Sequence, residues 1–206
     1  DWALTNPFRA LLAAFKLRAI APMLLVVMLF HLGNHIYPTL WAFWSTAQFN
    51  WSPSVIGVSL AAYGVMLALV QGALVGPAVK RFGEWRIAVF GCIAGSAAAL
   101  GFAAVSSAWL VFPLICLAAL SDLAPPALTS RLSQRVAADA QGELQGVLSA
   151  ITALTAVLTP PLATGAFYLA THPTGPLNLP GAPFLITALL LAAATLTLRS
   201  IPPADR

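Results

Sequence analysis

Six long apolar runs lie at roughly 19–44, 54–79, 87–105, 109–130, 144–170 and 182–198, separated by short polar or turn-rich stretches such as NWSPS (50–54) and THPTGPLNLPGAP (171–183). Each run approaches or exceeds the roughly 20 residues that an α-helix needs to cross a bilayer. None alternates residue by residue, as a membrane β-barrel strand must. In hydrocarbon every backbone amide must be paired within the protein, so Leu- and Ala-rich runs of this length are predicted to be helices. The pattern predicts an all-α membrane protein: a bundle of six transmembrane helices over residues 19–200, after a linker at 1–18 and before a tail at 201–206.

Composition agrees. Hydrophobic residues make up 60% of the 206 and charged residues 8%, against about 25% charged in soluble domains. The net charge of +4 would suit nucleic acid, but its placement argues for a topology signal instead. Arg9, Lys16 and Arg18 precede the first run; Lys80, Arg81 and Arg86 lie between the second and third; Arg131 and Arg135 between the fourth and fifth; Arg199 and Arg206 after the sixth. These segments share one side of a six-span bundle, and the positive-inside rule makes that side, and both chain ends, cytoplasmic. Nucleic acid is therefore not an expected partner; the lipid bilayer is. Trp41, Trp44, Trp51 and Trp109 fall near the uncharged ends of runs, where interfacial anchoring is the expected role. Cys92 and Cys116 are expected to be buried free thiols. The chain opens Asp-Trp-Ala, and a segment of a longer polypeptide is expected.

Asp122, in AALSDLAPPAL (118–128), is the acidic residue that falls inside a span. At 1.5 Å per residue it sits about 4 Å from the middle of its run. A charge there costs at least ~2.5–3.5 kcal/mol, and the spans offer no Lys or Arg to pair with it. It must face a watery cavity, carry a proton, or meet a group from another chain or domain. That makes it a candidate proton or cation site; the plain alternative is a protonated carboxyl bonded to a neighbouring carbonyl. Pro125 and Pro126 follow it, and Pro160 and Pro161 recur in the fifth run. Proline removes a backbone donor, so both spans are expected to bend around a cavity. In HLGNHIYP (31–38), His31 and His35 share a helix face, with Asn34 beside them. Two His are too few for a metal site; lining a cavity is the favoured role, with helix-to-helix hydrogen bonding as the alternative. Gln71, in QGALVG (71–76), is a further cavity candidate. Gly72 with Gly76, and Gly91, Gly95 and Gly101, are expected to allow close helix packing.

Two loop motifs add detail. GPAVKRFGEWR (76–86) places Gly76, Arg81, Gly83, Glu84 and Arg86 at a basic turn between spans. QGELQG (141–146) places Gln141, Gly142, Gln145 and Gly146 at the opening of span five. Glycines there allow helices to approach closely at a cytoplasmic gate.

The stretches IGVSLAAYG (56–64), GPAVKRFGEWR (76–86), WLVFP (109–113), PALTSRLSQRV (126–136) and QGELQGVLSAITALT (141–155) keep their order over roughly residues 30–170. Together they resemble the C-terminal half of a tetracycline-type drug:proton antiporter of the major facilitator superfamily. The resemblance implies one six-helix half of a twelve-span transporter in the bacterial inner membrane. It implies an N-terminal six-helix half as partner, a small amphiphilic drug as substrate, protons as coupling ion, no cofactor, and alternating access rather than enzymatic chemistry. It implies that Gln71 lines the substrate cavity and that Arg81 and Gly83 belong to the gate loop. Where such pumps carry a His in the second of these spans this chain has Leu67; where they carry an Asp in the next it has Gly95. His31, His35 and Asp122 stand where the family has amides or small residues, so the titratable groups are redistributed, and Asp122 with His31 or His35 is expected to supply coupling. Two other readings are a six-span assembly subunit or half-transporter with a different small-molecule substrate, and an intramembrane protease built on Ser96, which lacks the surrounding motif and a suitably placed His.

Overall fold

The computed structural model describes residues 20–172 and 179–201. The expected linker at 1–18, the middle of the 171–183 stretch and the tail beyond Ile201 lie outside the described residues. The described chain is helical, with six helices long and apolar enough to span a membrane: Ala21–Phe49, Pro53–Phe82, Glu84–Ala104, Ala108–Ser133, Ala138–Thr171 and Ala182–Ser200.

Three of the six are interrupted, and a proline stands behind each interruption. Span one is α1 (Ala21–Asn34) and α2 (Ile36–Phe49), hinged at His35. Pro38 supplies no amide to the carbonyl of Asn34, one turn back. Span two is α3 (Pro53–Leu69), a π-helical turn at Val70–Leu74, and α4 (Val75–Phe82). Pro77 lies just beyond that turn, where the wider winding accommodates the missing donor. Span three is α5 (Glu84–Ala104). Span four opens with a 3₁₀ turn, continues as α6 (Val111–Ser121), breaks at Asp122–Leu123, and resumes as α7 (Ala124–Ser133). Pro125 and Pro126 occupy the first turn of α7, where their missing amides would be unpaired in any case. Span five is a 3₁₀ turn and the continuous α8 (Gln141–Thr171); span six is α9 (Ala182–Ser200). The expected bend in span five is thus no break: Pro160 and Pro161 sit inside α8, and the Thr164 hydroxyl donates to the Pro160 carbonyl at 2.7 Å.

Two apolar clusters hold the bundle together. One, built on Met23, Leu24, Leu132, Val147 and Leu198, fills the end that carries the basic residues. The other is aromatic and fills the opposite end. There Trp44 meets Phe184 at 5.1 Å and Trp41 meets Phe102 at 5.4 Å, both edge to face, the geometry that aromatic quadrupoles favour. The interfacial role expected for Trp41 and Trp44 is therefore corrected. Both are buried in the bundle, and the Trp41 indole N–H donates to the Ser59 hydroxyl at 2.8 Å. Trp109, 82% exposed, does stand outside. Cys92 is buried, but Cys116 faces outward.

The glycines divide by neighbourhood. A Cβ at Gly91 would lie 2.9 Å from the Ser121 carbonyl and from the Ala124 amide nitrogen, so span three lies directly against the break in span four. A Cβ at Gly95 would meet Leu191 and Ser121, and one at Gly101 would meet Leu114. At Gly72, Gly76, Gly142 and Gly146 nothing among the described residues stands within 4 Å of an added Cβ. The packing expected of Gly72 and Gly76 does not occur inside this unit. Gly83, with φ +81°, makes the turn between spans two and three, a conformation that side chains strongly disfavour.

Coverage is uneven. Spans two and five are 11% and 28% buried, against 44–50% for the other four. We expect Gly91→Ala to destabilise the purified full-length protein by about 1–3 kcal/mol, because a backbone contact cannot swing aside as a side chain can. A melting temperature equal to wild type would contradict this packing.

Candidate functional site

The break in span four exposes the end of α6 at mid-depth. The amides of Asp122 and Leu123 reach back to the carbonyls of Ala119 and Leu120, a tight turn rather than a helical one. The carboxylate leaves the helix there and is held by groups from two other spans. The Tyr63 hydroxyl of α3 donates to Asp122 Oδ2 at 2.7 Å. The Asn34 side-chain amide of α1 donates to Oδ1 at 3.4 Å. Asp122 is 8% exposed. Neither Tyr63 nor Asn34 is charged, so the carboxyl sits in a neutral polar niche between the two apolar clusters.

The hinge in span one builds the other wall. Pro38 leaves the last turn of α1 short of a donor, and side chains of other spans reach that turn. The Thr187 hydroxyl donates to the Gly33 carbonyl at 3.0 Å, and that of Thr159 to the Leu32 carbonyl at 3.4 Å. Asn34 and His35 are thereby presented at the hinge. The His31 and His35 rings lie 5.8 Å apart. The geometry pairs Asp122 with Asn34 and Tyr63; its bonded partners do not include the histidines expected to act with it.

Two cavities flank this point. The larger, about 460 Å³, is walled by spans one, four and five, with His31, Thr129, Gln145, Ser149 and Thr152 as its polar groups among Phe30, Leu128 and Leu148. The smaller, about 260 Å³, is lined by Asn34, His35, Tyr37, Trp41, Tyr63 and Phe102 among others. His31 lines both. A mostly apolar space with a few polar groups is the usual form of a small-molecule site.

The other candidates fall elsewhere. Gln71 lies on the π-helical turn, is exposed, and lines neither cavity. Gly76, Arg81, Gly83, Glu84 and Arg86 gather at the basic end. There Glu84 accepts hydrogen bonds from the Ser130 hydroxyl at 2.8 Å and the Gln134 amide at 2.7 Å. The Arg131 guanidinium stacks over the Trp85 ring at 4.8 Å. Span three's first turn is thus tied to span four's last. Gln141 ties the following loop: its amide donates to the carbonyls of Ser133 and Val136, and its carbonyl accepts from the Ser133 hydroxyl. QGELQG forms the first turns of α8, not a loop. Its Gln145 reaches the larger cavity, while Gly142 and Gly146 stay open. Ser96, the nucleophile of the protease reading, donates to the Ala188 carbonyl at 3.0 Å and so pins span three to span six.

Sequence reasoning missed Tyr63. The signal was present: a phenol in the middle of an apolar run must find a partner for its hydroxyl, and the unpaired acid two spans away is the obvious acceptor.

A bundle of membrane-spanning helices, interrupted around a polar niche with two cavities nearby, is an architecture that membrane transporters use. The chain matches the Major Facilitator Superfamily over residues 23–206 and belongs to that family. It is similar to the tetracycline resistance protein, class C, of Escherichia coli, 36% identical over 169 residues that make up 82% of this chain and 42% of that protein. It is also similar to the class G protein of Vibrio anguillarum, 33% identical over 81% of this chain and 42% of that protein. The class D protein of Salmonella ordonez is 38% identical over 70% of this chain and 36% of its own length. The chain thus spans about two-fifths of the length of these relatives.

Tyr63→Phe is expected to cost about 1.5–3 kcal/mol, the usual worth of a short hydrogen bond to a charged group. Asn34→Leu, which loses a longer and weaker bond, is expected to cost less. Thermal unfolding of the two purified variants tests that order, and equal losses would refute the assignment.

Proposed function

We propose that this chain is the C-terminal half of a proton-coupled exporter of tetracycline-like or other amphiphilic drugs, working by alternating access. The observation that carries the reading is the placement of Asp122, a buried carboxyl at a helix break, bonded to Asn34 and Tyr63 in the wall of the smaller cavity. An exporter of this kind needs an acid at mid-depth that exchanges a proton, and a space next to it for the drug. The similar proteins are named for tetracycline resistance, which, in a chain of the Major Facilitator Superfamily, supports drug efflux as the class of transport. The basic residues gathered at one end support a bacterial inner-membrane orientation with that end, and both chain ends, cytoplasmic.

The N-terminal half of the same transporter is the proposed partner. Spans two and five, the least covered of the six, would form its contact face. Gln71, Gly72, Gly76, Gly142 and Gly146 lie on these two spans with open space around them. Gln71 would then line the substrate path from the partner's side, and the glycines would let the halves approach closely near the gate.

Cells expressing the full-length gene are expected to resist amphiphilic drugs, tetracyclines among them. Those expressing Asp122→Asn, with equal protein in the membrane, should be as susceptible as cells without the gene. Resistance surviving the substitution would remove Asp122 from the coupling. No resistance in wild-type cells would sink drug export itself. The isolated half, with two spans uncovered, is expected to self-associate in detergent; a monodisperse monomer by analytical ultracentrifugation would count against the proposed interface.

A further inference from the structure

The smaller cavity, about 260 Å³, falls below the roughly 300–1,000 Å³ of sites that hold a whole drug-sized molecule. It shares His31 with the larger cavity, so its size suits one end of a ligand whose body occupies the larger space. Its chemistry is one-sided. The rings of Tyr37, Trp41, Tyr63 and Phe102 line it. The Trp41 N–H is already committed to Ser59, so Trp41 offers the pocket its ring. Asp122 stands directly behind Asn34 and Tyr63, bonded to both. With its amide nitrogen turned to that carboxylate, Asn34 keeps its carbonyl oxygen as an acceptor. His35 Nδ1 and the Tyr37 hydroxyl are buried without a hydrogen-bond partner among the described residues. Among the described residues no Lys or Arg lines the pocket; its basic side chains are the imidazoles of His31 and His35.

Aromatic faces, acceptors and a carboxylate, with no fixed cation to neutralise them, select a positively charged group. The ring quadrupoles attract it, and the carboxylate behind Asn34 and Tyr63 adds a longer-range attraction in a site of low dielectric. An acidic head would meet like charge, and a neutral one would leave the carboxylate without a partner for its charge.

We propose that the inner pocket is the subsite for a protonated amine on the transported amphiphile. The ammonium N–H reaches toward Asp122 at Asn34 and Tyr63, and its alkyl groups lie against the surrounding rings. The proposal rests on the export reading for its occupant, a small amphiphile, and adds the charge and the end by which that amphiphile is held.

The test uses the purified full-length transporter and a matched pair of small probes, N,N-dimethylphenethylamine and the uncharged phenethyl methyl ether, titrated by calorimetry at neutral pH. The amine is expected to bind at least about tenfold more tightly than the ether, and Asp122→Asn to erase that preference. Equal binding of the pair by wild type, no binding of the amine, or a preference that survives Asp122→Asn would overturn the subsite and leave the pocket to water. The wild-type comparison needs no variant, so a poorly folded Asp122→Asn does not shelter the proposal. Failure here is separable from failure of drug export: resistance without amine preference removes the subsite alone, and amine preference without resistance removes export alone.

Discussion

Hydrocarbon offers no water to a backbone carbonyl that has lost its donor, and this bundle is organised around the places where prolines create such carbonyls. Pro38 and the Pro125–Pro126 pair act on spans one and four, and the hinge and break they produce set Asn34, His35 and Asp122 beside one another at mid-depth. At the end of α1 the hydroxyls of Thr187 and Thr159 donate to the Gly33 and Leu32 carbonyls, next to the Asn34 carbonyl that Pro38 leaves without an amide, and span three approaches the Ser121 carbonyl closely enough that only glycine fits at Gly91. A break in a membrane helix is therefore not a local event. It brings hydroxyls and a close glycine contact from other spans to the broken segments, and those contacts help to hold the spans in one arrangement.

The same economy governs the acid. A carboxylate at mid-depth costs several kcal/mol, and a lysine or arginine partner would offset that cost only by introducing a second buried charge. Here two neutral donors do it, Tyr63 and Asn34, each from a different span. Neutral donors hold a carboxylate without neutralising it, so the niche keeps a negative field that a permanent ion pair would cancel. An aromatic cluster lies on one side and a largely aliphatic one on the other, and such apolar surroundings screen a charge less than water does.

Much of this was legible in the sequence, and what was not has physical reasons. Span number and helical class follow from apolar runs and charge placement, because the bilayer imposes length and pairing on every segment alike. The close packing at Gly91, Gly95 and Gly101 was also readable. Direction around a helix was not: over most of their length the spans show little contrast between faces, since a lipid-facing side and a core-facing side are both apolar. That is why Trp41 and Trp44 read as interfacial when they are core, why Cys116 read as buried when it faces outward, and why Gly72 and Gly76 read as packed when they are open. Asp122 stood out because a charge is rare in such a run; Tyr63 did not, because a phenol is not.

An antiporter needs its two cargoes to compete, or each would ride independently of the other. Ligand energy can shift a conformational equilibrium only through a difference in affinity between states. In the proposed exporter that difference has a physical seat. Asp122 is bonded to α1 through Asn34 and to α3 through Tyr63, so whatever occupies its charge is felt by spans one, two and four together. Of these, span two is the one left uncovered by its own bundle. A proton or a cation at Asp122 would therefore alter the hold on the helix that, in the proposed exporter, would meet the partner half, and the niche that makes a buried acid tolerable would also be the lever by which its occupancy moves the bundle.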